Sequence, residues 1–255
     1  RALTNIASVD ATTVAALGAA GVGGGAPAAP ENFDPASTAD ETITSSGTWT
    51  KPSSYDDDSW VTFYLVGGGG AGGGGDNQTY WRAGGSGGGA TVFAARMGGL
   101  PATLTITVGA GGAGSTAGNG GQTIVATASA SITANGGSGS NTQPSRNGRV
   151  GFLINWPASI PSPFAGAPVI DTSGAGNYGQ DVAGTSNYGG GAGAGGNLTA
   201  NSTGGASLYA GNGGNAGNSG GSGQVPGGGG GGGYTAGGGA NGGNGGAGSV
   251  RIYYG

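Results

Sequence analysis

Between Gly211 and Gly248, glycine recurs at every third position in successive runs. Gly211, Gly214, Gly217, Gly220 and Gly223 form one run, Gly227, Gly230 and Gly233 a second, and Gly239, Gly242, Gly245 and Gly248 a third, with Ala236 in the one gap. Shorter echoes stand at Gly67, Gly70 and Gly73, at Gly109 and Gly112, and at Gly118 and Gly121. Three is the period of the extended polyproline-II helix, which rises about 3.1 Å per residue and has no hydrogen bonds of its own. Collagen shares the glycine period but needs abundant proline between the glycines, and here only Pro226 lies in the region.

A lone segment of this kind is unstable in water. Ordering a glycine costs roughly 0.5–1 kcal/mol more than ordering an alanine. Residues 190–248 hold 29 glycines, so the total exceeds the ~5–15 kcal/mol net stability of a typical domain. Bundling offsets the cost. Without Cβ atoms, neighbouring backbones approach closely and pair their N–H and C=O groups across segments. The Gly227–Gly233 run would then span roughly 20 Å. A disordered glycine-rich tail is the competing reading. Against it stand the register of the glycines, the aromatics between blocks, and a strand pattern after the last block.

The strand signals begin near Glu41. Thr42-Ile43-Thr44 and Gly47-Thr48-Trp49 lead to Trp60–Val66, in which Val61, Phe63 and Leu65 share one face and Thr62, Tyr64 and Val66 the other. Ala90–Arg96, Leu104–Val108, Thr123–Val125, Ser131–Thr133 and Ser249–Tyr254 follow. Helical periodicity is absent after residue 40. The predicted fold is all-β: an antiparallel β-sandwich of short strands with a polyglycine-II-like bundle. Asp10 as N-cap, Val14–Leu17 and Gly18 as stop allow a short N-terminal helix. The predicted division is 1–21 as a connecting or oligomerisation segment, 22–40 as a Gly/Pro linker, and 41–255 as a glycine-rich sandwich domain with an insertion at 141–226. A chain starting at Arg1 reads as a fragment or a processed product.

Composition narrows the function. There is no cysteine and no histidine, which removes disulfides, thiolate metal sites and the commonest general base. Eight of the eleven acids precede residue 60, and beyond Trp60 there remain three acids and five arginines. That is too sparse for a nucleic-acid footprint. No run of about twenty apolar residues exists for a membrane helix. A paired-carboxylate hydrolase has only Asp76, Asp171 and Asp181 beyond residue 60 to draw on. The expectation is a non-enzyme without cofactor or metal. Asp56-Asp57-Asp58 suits calcium by its oxygens but reads as a solvated turn.

Several stretches resemble a known family. Gly47-Thr48-Trp49, Pro52 and Val61–Gly70 are similar to the start of glycine-rich domains in bacteriophage tail-fibre and tail-tip proteins. Leu100-Pro101, Leu104–Gly112, Gly120–Thr123, Thr133–Gly137 and Gly248–Tyr254 continue the likeness, which covers about 41–140 and 227–255. The resemblance implies a receptor-binding or distal fibre role in a phage particle. T-even-type adhesin tips resemble this composition too, with polyglycine-II bundles presenting variable loops to the host surface. The implied location is the virion tail, outside the cell. The implied partners are a bacterial surface receptor, polysaccharide or outer-membrane protein, and other tail proteins. Segment 1–21 leaves a homotrimer open.

The loops between glycine blocks hold the candidate receptor contacts. Tyr80, Trp81 and Arg82 interrupt two glycine runs and are of the residue types enriched in binding hot spots. Arg146, Arg149, Phe152 and Trp156 lie in the least glycine-like part of the insertion, near Pro157, Pro161, Pro163 and Pro168. Tyr178 and Tyr188 stand beside glycines, as does Tyr234, and Tyr209 lies two residues before Gly211. They offer contact area at low entropy cost, or else cover bare backbone. Two alternatives accompany the adhesin reading: a purely structural virion fibre or decoration protein, and an ice-binding-type Gly-x-x bundle, which needs a flat, regular outer face.

Overall fold

The computed structural model describes residues 37–74, 83–140, 170–171, 183–195, 202–234 and 240–255. The expected helix within 1–21 lies outside them. Among the described residues nine strands run in chain order: β1 (Glu41–Ile43), β2 (Gly47–Thr50), β3 (Trp60–Val66), β4 (Ala90–Arg96), β5 (Thr103–Thr107), β6 (Thr123–Ala126), β7 (Ser131–Ala134), β8 (Ile170–Asp171) and β9 (Ser249–Tyr254). They form two antiparallel sheets, ordered β1-β9-β3-β4-β8 and β2-β5-β6-β7. The sandwich predicted from the alternation is present. The sequence pattern missed β8, which pairs Ile170 and Asp171 with Thr91 and Ala90. Two residues are too few for a periodic signal.

The core lies between the sheets. Val61, Phe63 and Leu65 of β3 meet Trp49, Leu104, Ile106, Val125 and Ile132 of the second sheet. Phe63 stacks on Phe93 at 4.7 Å and takes the Trp49 ring edge-on at 5.4 Å. β5 shows why this face was readable: Leu104 and Ile106 are buried while Thr103, Thr105 and Thr107 are exposed, the period-2 pattern of a half-buried strand. β3 is buried along its whole length, because glycine-rich chain covers its second face as well.

The strands continue directly into the glycine bundle. In the first sheet β3 runs on as 67–74, while 83–89 leads into β4 and 240–248 into β9. In the second, β5 is followed by 109–114, β6 preceded by 118–122 and β7 followed by 135–140. Four further segments, 190–195, 211–217, 220–224 and 227–234, pack beside these without belonging to a strand. The stretch predicted as an insertion thus supplies three of them.

Hydrogen bonding defines the lattice. Gly67, Gly70 and Gly73 donate to the carbonyls of Gly89, Ser86 and Ala83; Gly68 and Ala71 to those of Gly121 and Gly118; Gly69 and Gly72 to those of Gly246 and Gly243, all at 2.8–3.0 Å. Carbonyls of the same segment accept from Gly137 and Ser140, from Gly230 and Gly233, and from Gly112. Successive residues of each three-residue turn therefore address different neighbours. Six surrounding segments result, three reached through N–H and three through C=O. Segment 227–234 is enclosed in the same way. It donates to 190–195, 67–74 and 220–224, and accepts from 83–89, 240–248 and 211–217. These contacts arrange the ten segments in three layers. The outer layers are 190–195, 83–89, 135–140 and 220–224, 240–248, 109–114. The middle layer is 211–217, 227–234, 67–74, 118–122. Segments 183–186 and 202–206 lie against one side, bonded to 190–195 and 211–217.

Glycine is obligatory here for lack of space. A methyl group built on Gly69 or Gly230 would overlap the carbonyl of Gly228 or Gly243. Where the lattice leaves room, alanine appears: Ala183, Ala192, Ala194 and Ala216 are buried together. On peripheral segments the residue facing water is free to vary every third position. Asn212 and Asn215, then Asn241 and Asn244, are exposed. Asparagine also closes the lattice edge. Oδ1 of Asn212, Asn215, Asn119 and Asn244 accepts from the backbone N–H of Ser207, Gly204, Gly139 and Gly114 at 2.7–2.9 Å, donors at the edge of the bundle.

The packing makes a position-specific prediction. Gly230→Ala should destabilise the domain by about 3 kcal/mol or more, at the upper end of overpacking effects. Gly217→Ala meets only Ser219 at ordinary contact distance and Gly47→Ala meets nothing within 4 Å, so both should stay within about 0.5 kcal/mol of the parent. Urea unfolding of the three variants measures the difference.

Candidate functional site

The bundle has two distinct ends. One is fused to the sandwich, whose opposite end we term the base. At the base β9 finishes against the start of β3, with Trp60 and Gly255 exchanging backbone hydrogen bonds at 2.9 Å. Here β1 also begins, Glu41 opposite Ile252. The other end of the bundle is free, and its register can be followed residue by residue. Gly73 donates to Ala83, Ser140 to Ala71, Tyr234 to Gly217, Gly220 to Asn241 and Ala216 to Ser202. Gly74, Ala83, Ser140, Ser202, Gly217, Gly220, Tyr234 and Asn241 therefore share the free end, with Gly195 and Ala183 beside them.

This end is where the chain connects its segments. Stretch 75–82 joins Gly74 to Ala83, 196–201 joins Gly195 to Ser202, and 235–239 joins Tyr234 to Ala240. Residue 141 follows Ser140, and residue 182 precedes Ala183. The exposed turns at Asn218-Ser219 and at Ser115-Thr116 belong to the same end. Of the predicted contact residues, Tyr80, Trp81, Arg82, Arg146, Arg149, Phe152, Trp156 and Tyr178 lie in these connections, outside the described residues.

Tyr188 is placed elsewhere. It is half-buried and packs with Tyr209, ring centroids 5.3 Å apart, on the cluster of Tyr64, Val66, Ala90 and Val92. Tyr64 Oη donates to the Tyr188 carbonyl. Arg251 Nη1 donates to the Tyr209 carbonyl at 3.0 Å and its guanidinium lies over the Tyr64 ring at 5.6 Å. These groups fasten the inner turns of 183–234 to the outer face of the first sheet. The covering role weighed for these tyrosines is what Tyr188 and Tyr209 perform. Sequence reading did not single out Arg251, because a lone arginine carries no pattern.

The base carries most of the described charge. Asp56 forms a turn, its Oδ1 accepting from Ser59 N, Ser59 Oγ and Asp58 N at 2.8–3.1 Å. The hydrogen bonds from Ser59 hold its carboxyl below the usual aspartate value. Asp57 faces Lys51 at 3.7 Å and Asp58 faces Arg96 at 3.1 Å. This is a solvated, ion-paired turn. No group of three metal-ligand side chains occurs among the described residues. Tyr254 stacks on the exposed Tyr55 at 4.8 Å, accepts from Trp49 Nε1 and donates to Glu41 Oε2, both at 3.1 Å. Burial pushes its phenol up to about 12.

A two-sheet sandwich continued by an interlocked polyglycine-II lattice, with a fused end and a free end, is the class of molecule these features define. The chain belongs to the glycine-rich domain family, whose model matches residues 38–255. No curated protein is significantly similar to it.

Two measurements check these assignments. Tyr188→Ala and Tyr209→Ala should each lower stability by about 1–3 kcal/mol, below the 3–5 typical of a fully buried aromatic, read as a shifted urea midpoint. The Tyr254 phenol has a folded pKa above its unfolded value of 10.0. Its contribution is therefore complete below pH 10 and lost as pH rises toward 12. Thermal melting across that window should fall less steeply in Tyr254→Phe than in the parent.

Proposed function

We propose that this chain is a phage tail-fibre or tail-tip adhesin that recognises a bacterial surface molecule through the connections at the free end of its lattice. The observation that carries the reading is topological. Segment ends flanking 75–82, 196–201 and 235–239 converge on the free end, while the outer strand ends lie at the base, remote from it. A rigid body with its variable connections at one end is suited to presenting them. The lattice itself is chemically monotonous, whereas 75–82 and 141–182 hold Tyr80, Trp81, Arg82, Arg146, Arg149, Phe152, Trp156 and Tyr178.

The receptor in this reading is a surface polysaccharide or outer-membrane protein, contacted by aromatic and polar groups without catalysis or cofactor. Other tail proteins are the structural partners, and the virion tail is the location. An ice-binding function is disfavoured. The outer layer of 220–224, 240–248 and 109–114 is regular, but its exposed rows mix Ser219, Ser222 and Val225 with Asn241, Asn244, Ala110, Ala113 and Thr116. No single chemical repeat covers it.

Purified protein should bind host cells and compete with phage adsorption. The double variant Trp81→Ala, Trp156→Ala should bind at least about tenfold more weakly, since one hot-spot aromatic carries about 2 kcal/mol or more. Its melting temperature should stay within about 2 °C, because a stability change within 0.5 kcal/mol shifts the midpoint little. Full adsorption by the folded double variant overturns the site assignment. Folded parent protein that binds no host cell favours the purely structural virion reading.

A further inference from the structure

A groove of about 540 Å³ opens on the outer side of the first sheet, between Thr38 and Thr42 on the entering chain and Leu208 and Tyr209 on the turn that leads into 211–217. Arg251 lines it as well. Two of its groups are out of place on a free surface. Leu208 is 65% exposed, and among the described large hydrophobics only Val225 is as open. Arg251 is half-buried, and its charge meets a carbonyl and a ring but no carboxylate among those residues. A partly desolvated cation beside exposed aliphatic surface suits an occupant that is both acidic and aromatic.

The chain supplies one immediately upstream. Ser37 lines the groove, and the residues before it read Pro30-Glu31-Asn32-Phe33-Asp34-Pro35-Ala36. Proline fixes its own φ near −65° and drives the preceding residue into extended backbone. By sequence alone, the Asp34-Pro35 pair favours an extended path. Ser37 follows Phe33 by four chain steps, a reach of at most about 14 Å. We propose that Pro30–Ala36 seats in this groove as a strap, with Phe33 against Leu208 and Tyr209 and the acids of the segment toward Arg251. This would brace β1, which pairs over three residues with β9 alone, and would fix the path of the upstream chain relative to the lattice. The inference is independent of what the free end binds.

The absence of native cysteine makes the test clean. In the full chain, Phe33→Cys with Leu208→Cys should form an intramolecular disulfide under mild oxidation, read by mass spectrometry and non-reducing gel. Phe33→Cys with Ser219→Cys is the control, since Ser219 is exposed on the turn at the free end of the bundle, far from the groove. Equal cross-linking of both pairs overturns the proposal. So does a covalent dimer as main product, which would place a neighbouring copy in the groove, and so does no disulfide in a variant that melts like the parent. A second readout needs no disulfide: Phe33→Ser should raise backbone hydrogen exchange at Leu208–Ala210 at least several-fold, and unchanged exchange there overturns the strap.

Discussion

The structure depends on one interaction: the backbone hydrogen bond between extended segments that carry no side chain at the point of contact. In 67–74 and 227–234 each turn of three residues spends its N–H and C=O groups on six neighbours. Any Cβ directed into the lattice would occupy the site of a carbonyl oxygen. Glycine content, period three and bundle cross-section are therefore one fact. The conformational cost of ordering glycine is offset only when neighbours on all sides are present, so the lattice forms as a unit.

A lattice of this kind needs a start and an edge. The sandwich provides the start. Its apolar core, built around Phe63, Phe93 and Trp49, sets the register of β3, β4 and β9 in one sheet and of β5, β6 and β7 in the other. The six segments that continue these strands inherit their alignment. Asparagine provides the edge, lending a carbonyl through Oδ1 to N–H groups at the rim of the bundle. Tyr188 and Tyr209 join the two parts. They lie on the second face of β3 and β4, so the added segments are held down by ordinary hydrophobic contact.

Much of the scaffold was legible in the sequence. The alternation in Trp60–Val66 located a strand and both its faces, and the spacing of Gly227, Gly230 and Gly233 specified the extended bundled helix. What escaped depends on long-range partners. Ile170 and Asp171 form a strand only because Thr91 and Ala90 offer an edge. Tyr188 looks the same in sequence whether it faces a receptor or covers Tyr64. The segments 190–195, 211–217 and 220–224 read as an insertion because no strand adjoins them, yet they complete the ring around 227–234. Of the candidate site, the sequence yielded the connecting stretches as breaks in the glycine pattern. That their ends meet at one place follows from the registers of the lattice, which no local pattern encodes.

The same physics separates positions that must be fixed from positions that are free. Inside the lattice one added methyl displaces a carbonyl and its hydrogen bond, and the neighbouring segments resist because each is held by several others. At the free end, Gly73 and Ala83 or Tyr234 and Asn241 are held by bonds that do not involve the connecting residues between them. The chemistry of those connections can change while the platform beneath stays intact. A loop on a compliant scaffold would lose its geometry with such changes, whereas here the end points are set by a backbone network that side-chain substitution in the loops does not touch. Recognition by these connections, as proposed, would thereby be decoupled from folding.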